Sequence, residues 1–153
     1  MTDLSHVDES GRARMVDVGH KSVQRRTARA SGHVRLAPET IDLVRRNEIV
    51  KGDVLTVAQI AGIQAAKKTA ELIPLCHTLT CDAVHVDLCI QHDGITATSE
   101  VSCAGRTGAE MEALTAVAVA LLTVYDMCKA VDTQMKIDAI ELLEKVKEDV
   151  EHQ

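Results

Sequence analysis

The segment that most restricts the fold is the run "MEALTAVAVALLTVYDMCKA", from Met111 to Ala130. It is rich in helix-forming residues, and apolar side chains would occupy every side of such a helix. We therefore predict a helix that is buried on more than one face. Thr107 and Glu110, three residues apart, have the pattern of a capping box at its start. A single small domain covers so much apolar surface only with difficulty, which indicates a homo-oligomer.

Two stretches of alternating polarity precede this helix and predict a β-hairpin. Apolar and polar residues alternate in "AVHVDLCIQ" and in "ITATSEVSC", and the turn dipeptide Asp93–Gly94 lies between them. A further strand is predicted for "VQRRTARASGHVRL", from Val23 to Leu36. The tail is ambiguous, because its apolar spacing fits a helix while residues 136–143 also suit a short strand.

Two more helices are predicted between the first strand and the hairpin. Pro38 stands at a favourable first helical position, and Asp53 can cap a second helix that Pro74 brings to an end near Leu72. The order strand, helices, strand, strand, helix and strand predicts an α+β fold of the ferredoxin-like, split βαβ type. Its antiparallel sheet would carry the helices on one face. We expect a single domain over residues 1–153, with an irregular N-terminal arm of about 20 residues.

Composition and charge exclude several kinds of partner. The chain has one aromatic residue and a formal net charge of −6, so neither base stacking nor a broad basic surface is available for nucleic acid. Basic residues are nevertheless frequent between Arg12 and Arg46, which suits a small anion. No apolar run is expected to span a membrane, and no signal peptide is visible, so we expect no membrane partner. The five cysteines, an odd number, indicate reduced thiols in the cytoplasm.

The stretch "LIPLCHTLTC" raises the question of a metal or a nucleophile. Zinc binds cysteine and histidine side chains, and this region offers Cys76, His77, Cys81 and His85. A zinc-dependent purine-nucleotide hydrolase is therefore one alternative. In a regular strand, Cys81 and His85 would point to the same side. No C-x-x-C pair or second cluster supports the metal, however. Adjacent residues such as Cys76 and His77 seldom form a nucleophile–base pair, so buried thiols and a loop histidine are the favoured interpretation.

A second group of candidates consists of charged residues that are far apart in sequence. Asp126 and Lys129 are three residues apart and would be neighbours on the long helix. Burial there would lower the pKa of the lysine enough for acid–base catalysis near neutral pH, whereas a surface ion pair is the simpler alternative. Glu112 lies on the same side as Asp126 but about 21 Å away along the helix. Because one small ligand cannot span that distance on a single helix, a subunit interface would have to bring such ends together.

Three segments together resemble the cyclic pyranopterin monophosphate synthase family, also called molybdenum cofactor biosynthesis protein C. They are "MVDVGHKSVQRRTARASG", "KGDVLTVAQIAGIQAAKKTAELIPLCHTL" and "GRTGAEMEALTAVAVALLTVYDMCKA". The resemblance implies a ferredoxin-like fold and a homohexamer built as a trimer of dimers, with active sites at the dimer interfaces. It also implies a lyase that converts the 3′,8-cyclised dihydro-GTP into cyclic pyranopterin monophosphate and pyrophosphate. No cofactor is required by this chemistry, although magnesium could accompany the triphosphate.

The same resemblance assigns site residues. The motif "YDMCKA" places Asp126 and Lys129 in catalysis, and "KGDVL" adds Lys51. The resemblance further implies seven substrate-binding residues and no metal ligand. The seven are Leu75, Cys76, His77, Met111, Glu112, Lys67 and Arg26.

The chain departs from the family pattern at three places. Thr78 stands where the family usually has proline, and Arg106 stands for a usual lysine. A glycine-rich C-terminal segment with a lysine, of the type "GGKSG", is replaced by "LLEKVKEDVEHQ", in which neither Lys145 nor Lys147 is assigned that role. A catalytically impaired homologue that binds nucleotide is therefore a second alternative.

Overall fold

The computed structural model describes residues 6–150. The first five residues of the predicted N-terminal arm therefore lie outside the described part. Four strands and four helices follow one another in the described part. They are β1 (Gln24–Arg35), α1 (Pro38–Arg45), α2 (Val54–Lys67), α3 (Thr69–Leu72), β2 (Cys81–Gln91), β3 (Gly94–Gly105), α4 (Glu110–Cys128) and β4 (Lys136–Asp149). The strands form one antiparallel sheet in the order β2-β3-β1-β4. This is the predicted α+β, ferredoxin-like arrangement, and the prediction is confirmed.

The core lies between one face of the sheet and the helices. Alternate residues of the two central strands are buried, such as Ala30 of β1 and Val101 of β3, because successive side chains of a strand point to opposite faces. Helix α4 buries residues from Ala113 to Cys128 against the sheet and against α2. At the crossing of α2 and α4, a β-carbon on Gly62 would lie 2.9 Å from the Ala116 carbonyl oxygen. The glycine therefore permits the two backbones to approach closely.

Helix α4 has the length and composition of a membrane-crossing segment, contrary to the expectation that no apolar run is long enough. The physical reason is that a core helix covered on several sides needs the same apolar residues as a helix in lipid. More than half of its apolar window, 56%, is buried inside the fold. The core helix of a globular domain passes the same test, so the segment is weak evidence for a membrane span.

The hairpin and the first strand are confirmed close to their predicted bounds. Gly94 in the hairpin turn permits a close approach to β1, because a β-carbon there would overlap the Val34 carbonyl oxygen. The tail is a strand of 14 residues, so its helical alternative is wrong. It was ambiguous because most of its side chains are exposed on both faces, which removes the alternation by which a half-buried strand is recognised.

Two predicted helix boundaries are wrong. The helix expected from Val54 to Leu72 is divided into α2 and α3 at Lys68. There the Thr69 hydroxyl donates to the Ala65 and Ala66 carbonyl oxygens, at 3.1 and 3.0 Å. The capping box of α4 does not form, because the helix begins at Glu110 and its N-cap is Ala109. The Glu110 carboxylate instead pairs with Lys145 of β4 at 3.2 Å.

Candidate active site

Three residues assigned to catalysis meet at the C-terminal end of α4. Asp126 lies in the last turn of that helix and Lys129 is its C-cap, while Lys51 comes from the turn that precedes α2. The Lys51 Nζ atom donates to Asp126 Oδ2 at 2.8 Å, and the Lys129 Nζ atom lies 2.7 Å from Oδ1. Lys51 also donates to the Asp126 carbonyl oxygen at 3.1 Å. One carboxylate thus holds two ammonium groups side by side.

The charges of this lysine–aspartate cluster favour the ionised forms. Hydrogen bonds from Lys129 and then Lys51 lower the pKa of Asp126 to about 2. The hydrogen bond to Asp126 raises the pKa of Lys129. Of the two alternatives for this pair, the surface ion pair is the one observed, since 57% of the Lys129 side chain is exposed. The alternative of a pKa lowered by burial is wrong, because the adjacent carboxylate favours the ammonium form. In this state the cluster can donate protons but is not a ready base.

A second group of predicted residues lies at the other end of α4. The loop between α3 and β2 contains Leu75, Cys76 and His77. The first turn of α4 contains Met111 and Glu112. The Cys76 Sγ atom is 4.0 Å from Glu112 Oε1. Glu112 is only 2% exposed, its Oε2 atom has no hydrogen-bond partner, and burial raises its pKa. This is an unsatisfied acid at the base of the loop.

The thiol of Cys76 is unsuited to nucleophilic catalysis. Burial, and secondarily the charge of Glu112, raises its pKa, whereas an active thiolate needs a lowered pKa. The Cys76 Sγ atom contacts the His77 carbonyl oxygen and Glu112 Oε1, while the His77 ring contacts the Val16 carbonyl oxygen through Nε2 at 2.6 Å. The preference for a packed thiol over a nucleophile agrees with this geometry.

The geometry of β2 separates two of the candidate zinc ligands, Cys81 and His85. A register shift between Cys81 and Ala83 makes Asp82 an extra residue, which is a β-bulge. Cys81 is therefore opposite Cys103, which is fully buried beneath the helices, whereas His85 is opposite Glu100 and is exposed on the open face. The expectation that Cys81 and His85 share a side is wrong. Within residues 6–150 no three His, Cys, Asp or Glu side chains are grouped as a metal site.

The basic residues assigned to the substrate lie at this second end as well. Lys67 is the last residue of α2, and its charge acts on Cys81, whose pKa is nevertheless raised, chiefly by burial. Arg26 of β1 donates from Nη2 to the Arg106 carbonyl oxygen at 3.5 Å, and its Nε atom is buried without a partner. Arg26 thus keeps one unused N–H donor.

A small cavity beside Arg26 contains residues that the sequence did not assign. Its volume is about 200 Å³, and it is lined by Gly108, Glu110, Lys145 and Lys147 besides Arg26. The two lysines come from β4, where Lys147 pairs with Arg26 in the strand register. The sequence would have placed these two lysines near Arg26 only if the whole tail, Lys136–Asp149, had been predicted as a strand. Three cations and the Glu110 carboxylate, which pairs with Lys145, line the cavity, so its net charge is positive and favours an anion.

The structure therefore divides the predicted site into two groups. The lysine–aspartate cluster and the Glu112 end are joined by α4, and fourteen residues at 1.5 Å each separate Asp126 from Glu112 by about 21 Å. Because both residues belong to the same helix, packing within one chain does not bring them together.

Comparisons with known proteins identify the family to which this arrangement belongs. A sequence model described as the MoaC family matches residues 15–148. Cyclic pyranopterin monophosphate synthase from Novosphingobium aromaticivorans is 58% identical over 145 residues, which cover 95% of this chain and 92% of that protein. The synthases from Thermomicrobium roseum and a Roseiflexus species are 57% and 54% identical, each over 95% of this chain and over 89% and 93% of their own lengths. The chain therefore belongs to the MoaC family and is an enzyme of molybdenum cofactor biosynthesis.

Proposed function

We propose that the chain converts (8S)-3′,8-cyclo-7,8-dihydroguanosine 5′-triphosphate into cyclic pyranopterin monophosphate and pyrophosphate. The observation that carries this proposal is the contact of Lys51 and Lys129 with the two oxygens of Asp126, at 2.8 and 2.7 Å. Rebuilding a purine ring as a pterin requires protons to be moved to and from several ring atoms. Paired ammonium groups held by one carboxylate supply those protons at fixed positions.

The roles of the three residues follow from their charges. Asp126, with a pKa of about 2, stays ionised near neutral pH and orients both ammonium groups. Lys129, with its raised pKa, begins as a general acid. After it has given its proton to the substrate, the neutral amine can take a proton back from another atom. Lys51 is the second proton-transfer group, and its contact with the Asp126 main chain fixes its position.

The Glu112 end of the site has basic residues that can bind the triphosphate of the substrate. In the ring-closing step a substrate hydroxyl oxygen attacks the α-phosphorus, its proton passes to a base, and the bond to the departing pyrophosphate breaks. Cations stabilise the charge that collects on the leaving group. Arg26, with its unused Nε donor, and Lys67 are the basic residues for this role, and Lys145 and Lys147 line the same cavity as Arg26. The rearrangement and loss of pyrophosphate involve no net oxidation, so no redox cofactor is required, and magnesium would enter with the triphosphate.

A complete site requires two copies of the chain. Because the two groups are about 21 Å apart on α4, we infer that the lysine–aspartate cluster of one subunit meets the Glu112 end of another. Large apolar side chains are exposed on the helices and on β4, including Ile60, Leu122 and Leu143, at 51–57%. Such surfaces favour a homo-oligomer, and the hexamer built from dimers is the expected assembly. Nucleic acid and membranes are not expected partners, and a cytoplasmic location, in keeping with five free thiols, stays a prediction.

The direct test is to incubate the purified chain with the cyclised dihydro-GTP and to measure both products by liquid chromatography and mass spectrometry. Stoichiometric cyclic pyranopterin monophosphate and pyrophosphate are expected. Substrate binding measured by calorimetry without any product would instead identify an impaired homologue that only binds nucleotide.

A mixing experiment tests the shared site. Lys51→Ala and Glu112→Ala proteins, each of which we expect to be inactive alone, are dissociated together and reassembled. Each mixed dimer then contains one unmutated site, so about a quarter of the sites recover. No recovery in dimers shown by mass spectrometry to be mixed would contradict the shared site.

A further inference from the structure

Residues 15–23, called the arm below, include the end of the predicted N-terminal arm and lie on the surface beside the Cys76–His77 loop. Val16 and Val18 are half-buried, whereas Asp17 and Gly19 are exposed. The Asp17 carboxylate accepts from the Gly19 N–H at 2.8 Å, and the Lys21 N–H donates to the Val18 carbonyl oxygen at 3.0 Å. The arm is thus a sequence of defined turns with two apolar side chains directed inward.

Two side chains from the Glu112 end of the site hold this arm. His77 contacts the Val16 carbonyl oxygen through Nε2 at 2.6 Å, and Arg106 donates from Nε to the Lys21 carbonyl oxygen at 3.1 Å. The main-chain carbonyl oxygen of Arg106 in turn accepts the hydrogen bond from Arg26 Nη2. The arm is therefore attached at two points, and both attachments are connected to residues assigned to the substrate.

The contact with Val16 determines the protonation of the His77 ring. A carbonyl oxygen can only accept a hydrogen bond, so Nε2 must carry the hydrogen. In the neutral imidazole Nδ1 is then the atom with the free lone pair. The arm therefore leaves Nδ1 as the ring nitrogen that can accept a hydrogen bond or a proton from a ligand.

We propose that the arm is a positioning element of the active site, in which the Val16 carbonyl fixes His77 as the Nε2–H tautomer and Arg106 clamps the arm in place. The role of His77 toward the substrate rests on the function proposed above. The attachment of the arm does not, and it can be measured without substrate.

The attachment is tested by trypsin cleavage after Lys21 in the full-length native protein. We expect cleavage to accelerate about five- to tenfold in Arg106→Ala and in His77→Ala, which is the effect of losing one hydrogen bond on a local opening. His77→Gln keeps an N–H near the position of Nε2, so its cleavage rate stays close to that of the unmodified protein. Arg46→Ala, an exposed arginine paired with Glu48, is the matched control. Equal cleavage rates in all four variants would overturn the proposal.

The positioning role is tested by turnover of the cyclised dihydro-GTP. Arg106→Ala is expected to lower kcat about tenfold while His77 is present, and to have no further effect in a His77→Ala background. Multiplicative effects of the two substitutions on kcat would show that the arm does not act through His77. If no variant and no unmodified protein turns over substrate, the proposed function fails, while the cleavage rates still decide whether the arm is held.

Discussion

The two ends of α4 differ in how their polar groups are satisfied. At the C-terminal end, both oxygens of Asp126 have a lysine partner, and all three side chains are about half exposed. At the N-terminal end, Glu112 is buried with one oxygen unpartnered, and Arg26 has a buried Nε donor without an acceptor. The first end is complete without a ligand, whereas the second pays a desolvation penalty that a bound ligand can relieve. The end proposed for proton transfer and the end proposed for substrate binding thus have opposite electrostatic character.

The largest expected effect is on activity at the complete end. Lys51→Met and Asp126→Asn should each lower kcat about 10²–10⁴-fold, the usual contribution of a positioned acid–base group. The free energy of unfolding should hardly change, because these side chains are exposed. Product formation from the cyclised dihydro-GTP is the measurement, and Arg45→Ala, an exposed arginine paired with Asp42, is the control. An Asp126→Asn enzyme with unchanged kcat would remove the carboxylate from the mechanism.

The next effect concerns the helix that connects both ends. Lys51 precedes α2 and Lys67 ends it, so the packing of α2 on α4 sets the position of both lysines. Gly62→Ala gains about 1 kcal/mol of helix propensity, but its new β-carbon would lie 2.9 Å from the Ala116 carbonyl oxygen. Because that oxygen belongs to the backbone of α4 and cannot move aside, we expect a net loss of about 1–3 kcal/mol. Urea unfolding measures it, with Gln64→Ala on the exposed side of α2 as the control, and a more stable Gly62→Ala would contradict the close crossing.

A smaller effect is expected at the unsatisfied end. Glu112→Gln removes a buried charge and should increase the free energy of unfolding by about 1 kcal/mol at neutral pH, while it lowers activity. The pKa of Glu112 is raised in the folded state, so the folded chain binds the proton more tightly. The unmodified protein therefore loses stability as pH rises from the ordinary glutamate pKa through the raised value. The advantage of Glu112→Gln should disappear below that range, and urea unfolding at pH 7.5 and pH 4 distinguishes the cases. A constant difference between the two variants would argue that the carboxylate is not the cause.

The smallest effect is the contribution of the complete end to stability. The pKa of Asp126 is lowered to about 2, so its ion pairs stabilise the fold above the ordinary aspartate pKa and lose this effect as pH falls toward 2. Solvent screens these exposed pairs. Asp126→Asn should therefore lower the melting temperature only slightly at pH 7 and not at all near pH 2. A large loss at pH 7 would mean that the cluster is structural as well as catalytic.

Local patterns predicted most of the fold but only part of the site. Alternation and turn residues located the hairpin, and the spacing of Asp126 and Lys129 predicted their contact on one helix. The contact of Lys51 with Asp126 spans 75 residues, and it depends on how α2 packs against α4, so only the family resemblance indicated it. The bulge at Asp82 changes the side on which Cys81 lies, and no composition signal marks it. Departures from regular geometry are settled by tertiary packing, which short patterns do not contain.

The position of β1 between β3 and β4 has a consequence for how the chain folds during synthesis. β1 is the first strand to be made, and β4, which pairs along it from Gln24–Asp149 to Arg35–Lys136, is the last. These pairings join residues more than 100 positions apart, so a growing chain carries one side of β1 unpaired until β4 has been synthesised. Folding of the sheet is therefore expected to complete only after β4 has left the ribosome, and truncation within β4 should expose β1 to aggregation.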